Sequence, residues 1–122
     1  MEKRRAGSSG LLLSRLGLGT MTWGRDTDEI EAAEQCRAYL DAGGNFIDTA
    51  STYGDGDSER VIGGLIGTLF ARDEVIIATK AGIGFSDGVK KVDATRHSLI
   101  AELDRSLNRL GTDFVDVWQI HA

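Results

Sequence analysis

The chain has 122 residues, 41% hydrophobic and 27% charged, which is the composition of a single globular domain with a modest core. A net charge of −5 and a pI near 4.9 exclude the clustered basic surface that nucleic acid rewards. The single cysteine, Cys36, excludes an internal disulfide framework, and no run reaches the roughly 18 apolar residues that span a bilayer. These features are compatible with a reducing cytoplasm, and no nucleic-acid or membrane partner is expected.

The opening stretch, MEKRRAGSSGLLLSRLGLG, mimics a leader peptide with basic residues followed by leucines. Arg15 and several glycines cut the apolar run and no small-residue cleavage site follows, so it is read as folded sequence. Gly7-Ser8-Ser9-Gly10 is expected to turn a small hairpin, and Leu16 to Met21 to form the first strand. A helix is expected from Asp28, which caps it with Glu31 in a capping box. Ile30, Ala33, Cys36 and Leu40 supply its inner face, and Gly43-Gly44 end it.

Asn45 to Asp48 is the second expected strand, followed by a helix from about Ser58 to Ala71. Val75 to Lys80 is the third strand. The third helix, Asp93 to Leu110, turns Leu99, Ile100, Leu103, Leu107 and Leu110 inward and stops at Gly111. Phe114 to Ile120 is a fourth strand that delivers His121. This alternation predicts an α/β fold of parallel strands joined by right-handed crossovers and buried on both faces.

In such folds chemistry collects at the C-terminal ends of the strands. Asp48, Lys80 and His121 close three of those ends, and Tyr53 stands in the loop after Asp48. Singly, each has an ordinary explanation: a loop-capping aspartate, a packed tyrosine, a lysine reaching water, a solvent-exposed histidine. Together they form a coherent proton-handling set. At an effective dielectric near 20, an ammonium about 4 Å from a phenol oxygen favours the phenolate by up to about 4 kcal/mol. Desolvation takes back part of that gain. Asp48 would keep Lys80 charged, Tyr53 would act as general acid, and neutral His121 would donate a hydrogen bond to the same substrate oxygen. The two histidines, His97 and His121, lie on unrelated segments, so no metal is expected.

These residues resemble the aldo-keto reductase superfamily. LGLGTMTWG resembles its first barrel strand and loop. GGNFIDTASTYGDGDSERVIG resembles its aspartate, the tyrosine five residues on, the glycine turn and the "SE" that opens a helix. VIIATKAG resembles the lysine strand and LGTDFVDVWQIHA the histidine strand. The resemblance implies a (β/α)₈ TIM barrel, of which residues 1–122 would be the N-terminal half: an N-terminal hairpin, four strands and three helices. It implies NADPH-dependent reduction of a small aldehyde or ketone, catalysed by Asp48, Tyr53, Lys80 and His121. Gly19, Thr20, Met21 and Asp48 would contact the cofactor, and Trp23 would line the substrate pocket with Tyr53 and His121.

Such a barrel needs about 250 residues, so the chain is expected to be the N-terminal portion of a longer protein, with weak or no activity alone. Its open strand edges would favour self-association. The other readings are a cofactor-sensing regulatory subunit of the ion-channel beta type, an inactive fragment, or an unrelated barrel enzyme that uses Lys80 as a Schiff base.

Overall fold

The computed structural model describes residues 1–121. In chain order the elements are β1 (Lys3–Arg5), β2 (Leu12–Ser14), β3 (Leu18–Gly19), α1 (Glu29–Asp41), β4 (Phe46–Asp48) and α2 (Asp57–Leu65). Then follow β5 (Ile76–Ala81), β6 (Ile83–Ser86), β7 (Val89–Val92), α3 (Arg96–Leu110) and β8 (Val117–Ile120). Strands β3, β4, β5 and β8 form one parallel sheet in that order, as the alternation predicts. The N-terminal hairpin is β1 paired antiparallel to β2.

Most helix ends follow their local chemistry. Asp28 caps α1 by accepting the Glu31 N–H at 2.9 Å. Gly111 ends α3 in the left-handed conformation, φ 65°. The first and fourth strands are shorter than expected, Leu18–Gly19 and Val117–Ile120, and two helix boundaries differ from the sequence expectation. The second helix stops at Leu65, because Ile66 is already extended and Gly67 turns at φ +85°. Leu69 and Phe70 then pack from a turn instead of a helix, and Phe70 is still buried. The third helix starts at Arg96, capped by Thr95, while Asp93 accepts hydrogen bonds from the Thr95 N–H and hydroxyl ahead of it.

Between β5 and α3 the chain adds a hairpin, β6 paired antiparallel to β7, beyond the elements the sequence pattern predicts. Its signal is Asp87-Gly88, which sit at φ 53° and 76°, the doubly positive pair that a two-residue hairpin turn needs.

The core lies between the sheet and the helices. Ile47 and Ile77 from the strands meet Cys36 from α1, Val61, Ile62 and Leu65 from α2, and Leu110 from α3. The α2–α3 approach is close: a Cβ on Gly63 would stand 2.6 Å from the Arg109 carbonyl oxygen. The inner faces of two helices are narrower than periodicity suggests. Ile30 and Ile100 are exposed, and Ala32 and Ser106 take the buried positions. Burial on both faces fails at β8, the last strand of the sheet, where Trp118, Gln119 and Ile120 are exposed.

Candidate active site at the strand ends

Strand pleating decides which side chains can meet. Successive residues point to opposite faces, so Ile47, Ile77 and Thr79 go to the helices while Asp48 and Lys80 share the other face. The parallel register pairs Lys80 with Gln119, which puts His121, two residues on, beyond Lys80 on that same face. The His121 N–H donates to the Ala81 carbonyl at 2.8 Å and ties the histidine to the end of β5.

Lys80 is the centre of the cluster. Its Nζ donates to Asp48 Oδ2 at 2.7 Å, to the Thr49 carbonyl at 2.9 Å and to Tyr53 Oη at 3.1 Å. An ammonium has three protons, and all three have acceptors. A Lys80 engaged by three acceptors is committed to them, which disfavours a Schiff-base nucleophile. The Thr49 carbonyl was invisible to sequence reasoning, since any residue there could supply it.

Tyr53 opens a tight turn, Tyr53–Gly56, in which Gly54, Asp55 and Gly56 all have positive φ. That turn swings the phenol over the strand ends. Its ring meets His121 edge-on, with centroids 5.9 Å apart and planes at 89°. Burial and the charges of Lys80 and Lys90 push the His121 pKa below its ordinary 6.5, against the opposing pull of Asp48. The imidazole is therefore neutral at pH 7. Its Nδ1 is buried with no hydrogen-bond partner among the described residues. A buried N–H without an acceptor is more costly than a bare lone pair, so the proton belongs on Nε2.

A cleft of about 270 Å³ opens beside this cluster, lined by Gly19, Thr20, Met21, Thr22, Asp48 and Tyr53. Gly19 has no atom within 4 Å of where a Cβ would stand, so its backbone is bare to the cleft. Met21 is exposed, while Thr20 is buried and tied to the Asp48 carbonyl through both its N–H and its hydroxyl. The structure thus brings Asp48, Tyr53, Lys80 and His121 together, with Gly19, Thr20 and Met21 alongside.

Trp23 is the exception. It is fully buried in the core, its Nε1 donating to Gln35 Oε1 at 2.8 Å, and it does not line the mouth. A large apolar ring gains more by joining the core than by standing at an open cleft, and Gln35 on α1 satisfies its N–H. Among the described residues no group of His, Cys, Asp and Glu has the arrangement of a metal site, and no helix is long and apolar enough to cross a membrane.

The chain is similar in sequence and fold to known proteins. Residues 15–122 match the model of the aldo/keto reductase family. The aldo-keto reductase YhdN of Bacillus subtilis is 40% identical over 126 residues, which cover 99% of this chain and 38% of that protein. The L-glyceraldehyde 3-phosphate reductase of Escherichia coli is 39% identical over 129 residues, covering 99% and 36%. Among solved structures, the holo form of aldo-keto reductase AKR11C1 from Bacillus halodurans superposes with a TM-score of 0.87 at 36% identity, covering 99% of this chain and 40% of that one. The chain spans less than half the length of these relatives, and its four-stranded parallel sheet corresponds to part of their (β/α)₈ barrel. By sequence and by fold, the chain belongs to the aldo/keto reductase family.

Proposed function

We propose that the protein to which this chain contributes reduces aldehydes or ketones to alcohols with NADPH, and that Tyr53 gives the proton. The observation that carries this reading is the Lys80 ammonium, 3.1 Å from Tyr53 Oη and anchored at 2.7 Å by Asp48 Oδ2. A phenol ordinarily holds its proton far above neutral pH. A fixed cation beside its oxygen stabilises the phenolate that proton donation leaves behind. Asp48 keeps that cation in place, and Nε2–H of neutral His121 is available to hydrogen-bond the substrate oxygen as negative charge develops on it.

The residues present fit the nicotinamide end of such a cofactor. The bare backbone at Gly19 allows a flat ring to approach, Thr20 and Met21 form one wall of the cleft, and Asp48 can accept from a ribose hydroxyl. At about 270 Å³ the cleft is below the usual range for a whole drug-sized ligand, so it suits one end of a dinucleotide. When bound, the cofactor supplies hydride to the carbonyl carbon, and the protein's part is to orient, polarise and protonate. The open face bearing Asp48 and Lys80, with the exposed edge strand β8, is where the rest of the barrel would close; exposed in isolation, it favours self-association.

The test is Tyr53→Phe in the complete protein, assayed with NADPH and a reactive aromatic aldehyde. Turnover is expected to fall by about 10² or more, the range for losing a general acid. Retention of most of the activity would remove Tyr53 from the acid role.

A further inference from the structure

Behind the catalytic face lies a second polar cluster, of uncharged hydroxyls. Thr20, Thr49 and Ser58 are each no more than 1% exposed, and their side chains converge where β3, β4 and α2 meet. Ser58 Oγ stands 2.7 Å from Thr20 Oγ1, 2.9 Å from Thr49 Oγ1 and 2.9 Å from the Thr20 carbonyl oxygen. Thr20 Oγ1 also lies 2.9 Å from the Asp48 carbonyl oxygen.

Three hydroxyls bring three protons to these four contacts, so one contact lacks a proton at any moment. The arrangement that leaves nothing stranded can be deduced. The Thr20 and Asp48 carbonyls can only accept, so Ser58 donates to the first and the Thr20 hydroxyl to the second. Thr49 is then the donor to Ser58 Oγ, and the Thr20–Ser58 hydroxyl pair is the contact without a proton of its own. Ser58 is thus the hub: its hydroxyl is the one that touches both Thr20 and Thr49.

The placement gives the hub a role beyond packing. Thr20 belongs to the wall of the cleft. Asp48 and Thr49 supply two of the three acceptors that fix the Lys80 ammonium. One hydroxyl on α2 therefore clamps the cleft wall to the backbone that aims the lysine.

We propose that Ser58 is a positioning residue, holding the Thr20 loop and the Asp48–Thr49 cradle of Lys80 in one fixed relation. This rests on the carbonyl-reductase reading above. Geometry in the reacting cluster is demanding, since a displacement of about 1 Å can cost about 10² in rate. Ser58→Ala strands the buried Thr49 hydroxyl and removes the link between Thr20 and Thr49, leaving the Thr20 loop held to the cradle by the Asp48 carbonyl alone.

In the complete protein, Ser58→Ala is expected to lower kcat about tenfold and to weaken NADPH binding, read by quenching of protein fluorescence, by threefold or more. The kcat–pH profile should differ from that of the wild type, a readout that a loss of packing alone does not move. The KM of the carbonyl substrate should stay within about twofold. Ser14→Ala is the control: Ser14 is another buried serine, bonded to Tyr39 and Asn45 near the opposite end of the sheet. It should lower Tm comparably and leave kcat, NADPH binding and the pH profile unchanged. If Ser58→Ala does not fold, Thr49→Val, which removes one spoke of the same hub, should move the same readouts in the same direction. If the variant that folds lowers Tm only, as Ser14→Ala does, Ser58 has no positioning role. A wild-type protein that binds NADPH but reduces no carbonyl overturns the function reading instead, and the binding measurement still decides the role of Ser58.

Discussion

Arg109 on α3 reaches Glu59 on α2 at 2.7 Å, and Glu59 is completely buried. The other carboxylate oxygen of Glu59 accepts from the Thr79 hydroxyl at 2.8 Å, on the helix-facing side of β5 and one residue before Lys80. A single buried carboxylate thus joins two helices to the strand that carries the lysine. Removing one partner of a buried pair costs about 3 to 5 kcal/mol, because it leaves the other charge unpaired. Arg109→Ala should therefore shift the urea midpoint sharply downward. Replacing both residues together, as Glu59→Leu with Arg109→Met, should cost much less than the single change.

The cluster around Lys80 predicts a graded series. Lys80→Met removes the cation beside Tyr53 Oη and should lower kcat by about 10² or more. Asp48→Asn keeps an oxygen for the ammonium but loses the charge that fixes it, and its loss should be smaller, about tenfold. Steady-state kinetics on the two variants would give the order, and equal losses would mean that Asp48 does more than hold Lys80.

His121 predicts a pH dependence of stability. Its native pKa lies below 6.5, so between the two values the unfolded state binds more protons than the native state. The contribution is complete above pH 6.5 and is lost as pH falls from 6.5 through the lowered native value. Urea midpoints should drop over that range in the wild type, and His121→Gln should flatten this part of the curve.

Cys36 is buried in the core, and burial pushes its thiol pKa up to about 11 against the pull of Arg37. Because the thiolate is the reactive form, Cys36 should resist iodoacetamide at pH 7.5 in the native protein. It should label readily in urea, with peptide mapping as the readout. Rapid native labelling would place Cys36 outside the core.

Trp23→Phe separates a core role from a pocket role. The change loses the Nε1 bond to Gln35 and part of a fully buried ring, and should cost on the order of 1–2 kcal/mol of stability. The carbonyl KM should not move. A large rise in KM with little loss of stability would restore Trp23 to the substrate pocket.

Much of this protein is legible without coordinates, because its signals are local. Asp28, Gly111 and the Gly7–Gly10 turn end or begin their elements by backbone chemistry that any context would leave intact. The errors are equally physical. Ile30 and Ile100 satisfy helical periodicity but face outward, since periodicity gives a stripe and not the width of the surface that covers it. The hairpin of β6 and β7 carries a turn signal in Asp87-Gly88, but Gly84 and the two lysines interrupt the apolar pattern of its strands.

The candidate site divides along the same line. Sequence alone singles out Asp48, Tyr53, Lys80 and His121 as candidates that lie together, since strand ends gather polar groups and the alternation of elements places those ends side by side. It determines no distances, and it gives no sign that Trp23 is buried. Only tertiary structure decided that the three Lys80 protons find Asp48, Thr49 and Tyr53, and that Ser58 and Glu59 close the space behind them. The reason is range. Caps, turns and strand periods are set within a few residues, while Lys80 meets Asp48 across 32 residues of chain and Arg109 meets Glu59 across 50. Contacts at that separation exist only once the sheet register and the helix packing are fixed.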